Sequence, residues 1–216
     1  SGTLAGLTDL HPGLVLNVTA ELTDRVDGAP GASAWDYTTG KPQLGATVRW
    51  GITNNLTFNG TFNPDFSQVE ADVNQVNFDP RRQVFFPERR PFFIDGIEQF
   101  QTPNNLVYTR RLVRPEAAAK VAGKMGATNV AYMTAVDDRS TSATGDNPLF
   151  NILRVSRDLG AQSRLALTYT DRIDGDASNR VLSVDGRAVT NRIYSGSFQL
   201  AAARNAGLVA LTHTPS

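Results

Sequence analysis

The chain has 216 residues, of which 40% are hydrophobic, and its mean hydropathy is −0.27. No apolar run approaches the roughly 20 residues that a spanning helix needs, which excludes a helical membrane protein but not a transmembrane barrel, where only every second residue faces lipid. The 21 basic and 21 acidic residues cancel, so charge gives no reason to expect a nucleic-acid partner. Cysteine is absent, which excludes disulfides and thiolate metal sites.

The first 62 residues predict the first strands of an antiparallel sheet. In residues 55–63, Leu56, Phe58 and Phe62 alternate with asparagine and threonine, so one side of the strand is apolar and the other is polar. Residues 14–23 and 44–50 show the same alternation. Glycine and proline predict that the intervening stretch, residues 24–42, is a loop.

Residues 116–216 predict further strands with the same two-sided pattern. Polar stretches at 137–148 and 171–179 are predicted to be long loops, and residues 181–189 a weak pair of short strands around Asp185-Gly186. Short turns alternate with long loops, as in outer-membrane barrels. We therefore predict an all-β fold, an antiparallel up-and-down β-barrel that is part of a larger transmembrane barrel. A soluble β-sandwich also buries one face of each strand and remains the alternative.

Residues 63–115, named the insert below, interrupt the alternation of apolar and polar residues and are predicted to be irregular. They contain seven phenylalanines, seven carboxylates and seven arginines, but no lysine. Their prolines prevent a regular ladder, so the rings must be buried locally and the charges must be paired. We expect a plug-like connection between strands, with Arg110 and Arg111 in buried pairs. Two alternatives stay open: a glycan site of aromatic rings, Arg and Asp, and a metal site at Asp65, Glu70 and Asp72, whose spacing lacks the glycine turn of a Ca²⁺ loop.

Three ordered blocks of the insert resemble a known family. They are residues 63–72 (Asn-Pro-Asp-Phe-Ser-Gln-Val-Glu-Ala-Asp), residues 85–93 (Phe-Phe-Pro-Glu-Arg-Arg-Pro-Phe-Phe) and residues 108–112 (Tyr-Thr-Arg-Arg-Leu). Together they resemble the signature of bacterial outer-membrane β-barrel proteins in which the barrel usually follows a family-9-like carbohydrate-binding domain. The resemblance implies location in the outer membrane of a Gram-negative bacterium and a link to carbohydrates. We expect this piece to lack that domain and the barrel to be unfinished at Ser216.

These observations predict a non-catalytic outer-membrane segment that serves uptake, export or surface display linked to carbohydrates. Its expected partners are the lipid bilayer, a possible glycan and, through open sheet edges, other strands; no cofactor, metal or nucleic acid is expected. The alternative is a secreted soluble β protein that binds or hydrolyses carbohydrate through residues 63–115. Glycoside hydrolysis is disfavoured because carboxylates among so many arginines should have lowered pKa values. The candidate ligand-binding or plug residues are Asp65, Phe66, Gln68, Glu70, Asp72, Glu88, Arg89, Arg90, Phe92, Phe93, Tyr108, Arg110 and Arg111.

Overall fold

The structure is a computed structural model that describes residues 15–24, 26–30, 35–40, 42–66, 87–190 and 193–207. It is all-β, with a nine-stranded antiparallel sheet in the order β1-β4-β5-β6-β7-β8-β9-β10-β11 and a separate two-stranded sheet β2-β3. The strands are β1 (Leu16–Thr23), β2 (Val26–Pro30), β3 (Trp35–Thr39), β4 (Gln43–Thr53), β5 (Leu56–Phe62), β6 (Pro115–Met125), β7 (Thr128–Asp137), β8 (Leu149–Asp158), β9 (Arg164–Asp174), β10 (Ala177–Thr190) and β11 (Tyr194–Ala206).

The large sheet is an up-and-down meander in which each strand pairs with the next one along the sheet. Apart from the β2-β3 excursion, neighbours in the sheet are also neighbours in the chain. Among the described strands β1 and β11 do not pair with each other, so the sheet is open at both edges and is not closed into a barrel. The predicted up-and-down antiparallel architecture is confirmed, and the predicted closure of the sheet into a barrel is not.

Three secondary-structure predictions made from the sequence were wrong. The predicted loop at 24–42 contains the hairpin of β2 and β3, with Val26 opposite Thr39. The predicted loop at 171–179 is almost entirely strand, because β9 runs to Asp174 and β10 starts at Ala177. The predicted pair of short strands at 181–189 is one continuous 14-residue strand.

The outer face of the sheet is apolar and exposed. The side chains that point to it alternate with those on the other side, as the two-residue period requires. Exposure reaches 65% at Val18 on β1, 50% at Phe198 on β11 and 70% at Leu200. Other members of this outer face are Leu16, Leu22, Leu44, Trp50, Phe62, Tyr132, Leu165, Leu167 and Leu182, all of them exposed.

The inner face of the sheet carries most of the buried polar side chains. Asn59 and Thr61 on β5, Lys120 on β6 and Thr168 on β9 are all at most 7% exposed. In the middle of this face β6, β7 and β8 provide an apolar patch of Ala118, Ala131, Met133, Ala135, Phe150 and Ile152. The sheet therefore has the reverse of the usual arrangement, in which the apolar face is covered and the polar face meets solvent.

The insert packs on that apolar patch. Phe92, Phe93, Phe100 and Leu112 are buried and join the patch in one hydrophobic cluster. The alanines of β6 and β7 leave room for the rings, in the alternation of large and small side chains that close packing needs. Of the insert, the described residues form the short helix α1 (Pro91–Ile94) and two 3₁₀ turns at Ile97–Phe100 and Thr109–Arg111. No helix in the described ranges is long and apolar enough to cross a membrane.

Candidate functional site

The described part of the insert crosses the inner face from near one edge of the sheet to the other. At one side the Asp95 carboxylate lies 3.5 Å from the Arg49 guanidinium on β4. At the far side the backbone N–H of Asn104 donates to Oε1 of Gln199 on β11, at 2.9 Å. These two contacts bracket the eight strands from β4 to β11 in the sheet order. The insert therefore extends across the inner face from β4 to β11.

Local sequence explains how the chain turns within the insert. Pro91 occupies the start of α1, where its fixed φ suits a helix and its missing N–H costs no hydrogen bond. Gly96 follows with φ of 68°, a left-handed conformation that redirects the chain into the 3₁₀ turn. Phe92 and Phe93 meet edge to face, with ring centroids 5.0 Å apart and planes at 89°. This geometry is favoured for paired rings, and both rings pack in the hydrophobic cluster that holds α1 on the sheet.

Glu88 and Arg90 form the central polar contact of the insert. Arg90 donates through Nε to Oε1 and through Nη2 to Oε2 of Glu88, both at 2.8 Å. The Thr109 hydroxyl donates to Glu88 Oε2 at 2.6 Å, and the backbone N–H of Arg90 donates to Oε1 at 3.0 Å. Burial would raise the pKa of Glu88, but the hydrogen bonds from Arg90 and Thr109 outweigh it and lower the pKa to about 2.

The remaining donors of Arg90 are also used within the insert. Nη1 donates to the carbonyl of Leu112 at 2.6 Å, and Nη2 to the carbonyl of Thr109 at 3.0 Å. The guanidinium carbon lies 4.2 Å from the centroid of the Phe93 ring, a cation–π contact. Arg90 is 1% exposed. Its guanidinium thus ties residues 88–93 to residues 109–112 and has a structural role here.

Lys120 fastens the insert to the sheet. It stands on β6, is 2% exposed, and its ammonium donates to the backbone carbonyls of Phe92 and Asp95. The same ammonium lies 4.9 Å from the centroid of the Phe92 ring. Lys120 is not among the candidate residues predicted from the sequence. The signal that was available is that Lys120 falls in the polar set of an otherwise alanine-rich strand.

A second buried ion pair, also missed from sequence, lies on the inner face of β8 and β10. Arg154 donates through Nη1 to Asp185 Oδ1 at 2.6 Å and through Nη2 to Oδ2 at 2.9 Å. Nη1 also donates to the Thr168 hydroxyl on β9, at 2.5 Å. Asp185 was missed because Asp-Gly is a common turn pair, and here it lies inside a strand.

The structure places the candidate residues as follows. Arg110 is half-buried and donates to the carbonyl of Pro87 at 3.0 Å, and Arg111 is exposed, so the expectation that both lie in buried pairs is wrong. The Phe66 ring lies 6.1 Å from the Phe93 ring and 5.4 Å from the Arg90 guanidinium. Asp65 and Arg89 are exposed, and Tyr108, half-buried, precedes the 3₁₀ turn of Thr109–Arg111.

The metal hypothesis rests mainly on residues that the structure does not describe. Glu70 and Asp72 lie outside the described residues, so the proposed cluster with Asp65 is not tested. The candidate residue Gln68 also lies outside them. Within the described ranges, no group of three or more His, Asp or Glu side chains is placed to hold a metal ion.

Fold and site together define an open, up-and-down antiparallel sheet whose apolar face is exposed and whose other face is covered by an internal segment. A family model matches residues 30–156, more than half of the chain, and the chain belongs to that family, a domain of unknown function (DUF5916). A solved structure, the outer-membrane protein OmpT of Vibrio cholerae in its trimer form, is similar at 11% identity and a TM-score of 0.25, covering 90% of this chain and 81% of that one. Among curated proteins nothing matches.

Proposed function

We propose that the nine-stranded sheet is a section of the wall of a bacterial outer-membrane β-barrel, with its outer face against lipid and the insert as a plug in the lumen. The observation that carries the proposal is the exposed outer face. It presents Val18 at 65%, Leu44 at 69% and Leu200 at 70% exposure on strands from one edge of the sheet to the other. Soluble monomers rarely expose a contiguous apolar surface of this extent, whereas acyl chains would cover it.

The inner face supports the lumenal part of the proposal. Asn59, Thr61 and Lys120 on that face are hydrogen-bonding groups that lipid could not satisfy. A soluble sandwich needs a second layer over the apolar face. Among the described residues the only segment packed on the sheet lies on the opposite side.

The connections between strands support an orientation. At one end of the sheet the described strands are joined across residues 54–55, 126–127, 159–163 and 191–193. At the other end the connections span residues 24–42, 63–114 and 138–148, with a short turn only at 175–176. Barrels of the outer membrane have short periplasmic turns and longer external loops, so we assign the insert and its neighbours to the external end.

The proposed barrel needs further strands. The described sheet ends at β1 and β11, and unpaired backbone groups at an edge are costly in a bilayer. We infer that these edges pair with additional strands, from the same protein or from another copy.

The proposed work of the protein is non-catalytic: uptake, export or surface display. Its link to carbohydrates rests on the resemblance of the insert motifs and remains a prediction. A secreted protein that hydrolyses carbohydrate with Glu88 as its general acid is disfavoured, because a carboxylate with a pKa of about 2 holds no proton to donate near neutral pH. Glycan binding by exposed insert residues such as Arg111 is the second candidate, and binding that is lost in Arg111→Ala would favour it.

The deciding experiment compares neighbouring substitutions on opposite faces of β1. Val18 belongs to the outer face and Thr19 to the inner one, and both are exposed. Val18→Arg should reduce the stability of the vesicle-folded chain by about 2–4 kcal/mol if Val18 sits near the bilayer midplane. Thr19→Arg, with the same added charge, should have little effect. The wild-type chain should partition into detergent and migrate heat-modifiably on a gel. A chain that is soluble without detergent, and indifferent to Val18→Arg, would overturn the proposal.

A further inference from the structure

An open pocket of about 280 Å³ lies on the inner face, where β9, β10 and β11 meet the tip of the insert. Its lining includes Pro103 from the insert and a set of polar side chains from the three strands, namely Arg164, Asp185, Arg187, Ser195 and Ser197. None of these residues is among the candidate residues predicted from the sequence. The pocket is nearer the end of the sheet with the short turns, since Arg164 begins β9 and Ser195 is the second residue of β11.

Two arginines face each other in this pocket. Arg164 on β9 and Arg187 on β10 are direct partners in the strand register, and both are exposed. Neither forms a side-chain hydrogen bond or ion pair with the residues that the structure describes. Like charges directly opposite on neighbouring strands are destabilising. No side chain in the described part of the chain neutralises these two guanidinium groups, so a bound anion would stabilise them.

A comparison within the same sheet shows how such a pair is otherwise accommodated. Arg180 and Arg204 are also direct partners, on β10 and β11. There Arg180 has an acidic neighbour, with its Nε 3.5 Å from Asp171 Oδ1. Arg164 also has an acidic register partner, Asp158 on β8. That carboxylate pairs with Lys124 at 2.6 Å and forms no ion pair with Arg164, so the equivalent neutralisation is missing at Arg164 and Arg187 within the described part of the chain.

The one carboxylate in the pocket does not supply it. Both oxygens of Asp185 accept hydrogen bonds from Arg154, in a bidentate pair in which the two side chains are 1% and 4% exposed. Asp185 and Arg154 thus neutralise each other. The pocket is left with two guanidinium groups and the hydroxyls of Ser195 and Ser197, and Ser197 is the register partner of Arg187.

We propose that this pocket binds a small oxyanion, a carboxylate or phosphate group, between Arg164 and Arg187. A guanidinium presents planar paired donors that match the oxygens of such a group, and serine hydroxyls can donate to the remaining ones. Pro103 forms one wall, and the adjacent Asn104 is hydrogen-bonded to Gln199, so the insert tip is held against β11 beside the pocket. The pocket is built from the sheet and the insert, and its existence does not depend on lipid at the outer face.

The test is calorimetric titration of the full chain, in detergent, with inorganic phosphate, and in separate arms with galacturonate and neutral galactose. Phosphate, galacturonate or both should bind, and galactose should not; the pattern distinguishes a free phosphate from the carboxylate of an acidic sugar. Arg187→Gln and Arg164→Gln should each weaken binding roughly ten- to hundredfold, because each removes hydrogen bonds to a charged group.

Arg180→Gln is the matched control. It removes the same charge from the same strand, outside the pocket, and should leave the affinity within about twofold. Equal weakening by Arg180→Gln would indicate attraction by general charge and overturn the site, as would failure of both phosphate and galacturonate to bind. Anion binding by a chain that fails to insert into vesicles would overturn the barrel proposal but not the anion site. If Arg187→Gln does not fold, as judged by circular dichroism, Arg164→Gln decides the matter.

Discussion

Arg90 holds Glu88 at two points, Nε to Oε1 and Nη2 to Oε2, both at 2.8 Å, with the two side chains 1% and 4% exposed. The pair does more than neutralise charge. Through the carbonyls of Thr109 and Leu112 the same guanidinium joins two parts of the insert about twenty residues apart. The fold of the insert thus depends on a buried polar contact as well as on its phenylalanine rings.

Arg90→Met should strongly destabilise the insert. It leaves the Glu88 carboxylate buried without its cation, a change that costs about 3–5 kcal/mol in other proteins. Equilibrium unfolding, with chymotrypsin cleavage of the insert as a local probe, would measure the loss. Arg111→Met is the control, because Arg111 is exposed and such substitutions usually stay within about 0.5 kcal/mol. Equal stability of the two variants would contradict the structural role of Arg90.

Glu88 should also make the protein sensitive to acid. Its pKa is about 2 in the folded chain against an ordinary value of 4.5, so the unfolded state binds the proton more readily. Its contribution to stability is therefore complete above about pH 4.5 and is lost as the pH falls towards about 2. The difference in melting temperature between wild type and Glu88→Gln should narrow over that interval.

The exposed Glu116 supplies the control for the acid experiment. Glu116 forms no side-chain ion pair with the residues that the structure describes, so the melting temperature of Glu116→Gln should stay close to that of the wild type. The difference in melting temperature between wild type and Glu88→Gln could instead stay constant with pH or widen in acid. Either result would show that Arg90 does not stabilise the ionised form of Glu88.

The two-residue alternation was sufficient to predict most of the sheet. It identified the strands that became β1, β4 and β5, and it assigned Leu56, Phe58 and Phe62 to one face of β5, as the register of that strand with β6 has them. Two of the failures share a physical cause. In this sheet the covered face carries polar groups, so polarity and turn residues do not mark loops there. Asp174 and Asp185 were assigned to a loop and a turn, and both lie in strands on that face.

The insert was predictable in kind but not in detail. Equal numbers of arginines and carboxylates indicated ion pairs, and the structure contains them. Which arginine is buried depends on tertiary contacts. Arg90 donates hydrogen bonds to the backbone carbonyls of Thr109 and Leu112, while its neighbour Arg89 is exposed. Adjacent arginines of identical chemistry cannot be separated on this point by sequence reasoning. Lys120 lies outside the insert in sequence, and its contacts with the carbonyls of Phe92 and Asp95 arise only in the folded chain.

Lys120→Met should release α1 from the sheet. The substitution keeps most of the apolar stem but removes the donors to the carbonyls of Phe92 and Asp95. Each lost hydrogen bond to a charged group costs roughly 1.5–3 kcal/mol. Amide hydrogen exchange of residues 91–100 should rise while the strands of the sheet stay protected.

Lys124→Met on the same strand is the comparison for Lys120. The Lys124 side chain is 49% exposed and pairs with Asp158 at 2.6 Å. Exposed pairs of this kind contribute about 0–1 kcal/mol, so exchange in the insert should not change. If both variants leave residues 91–100 equally protected, Lys120 is not the anchor of α1.

Gly123→Ala should disrupt the pairing of β5 with β6. A Cβ at this position would lie 1.9 Å from the carbonyl oxygen of Asn55 and 2.7 Å from Cα of Leu56, and both are backbone atoms that cannot rotate away. We expect a loss of about 1–3 kcal/mol, the usual cost of overpacking. Gly51→Ala on β4 has its nearest contact at 3.8 Å and should be neutral or stabilising by about 0.4–1 kcal/mol. Denaturant unfolding of the two variants decides the point, because a harmless Gly123→Ala would mean that β5 and β6 do not approach as closely as the register of Leu56 with Gly123 requires.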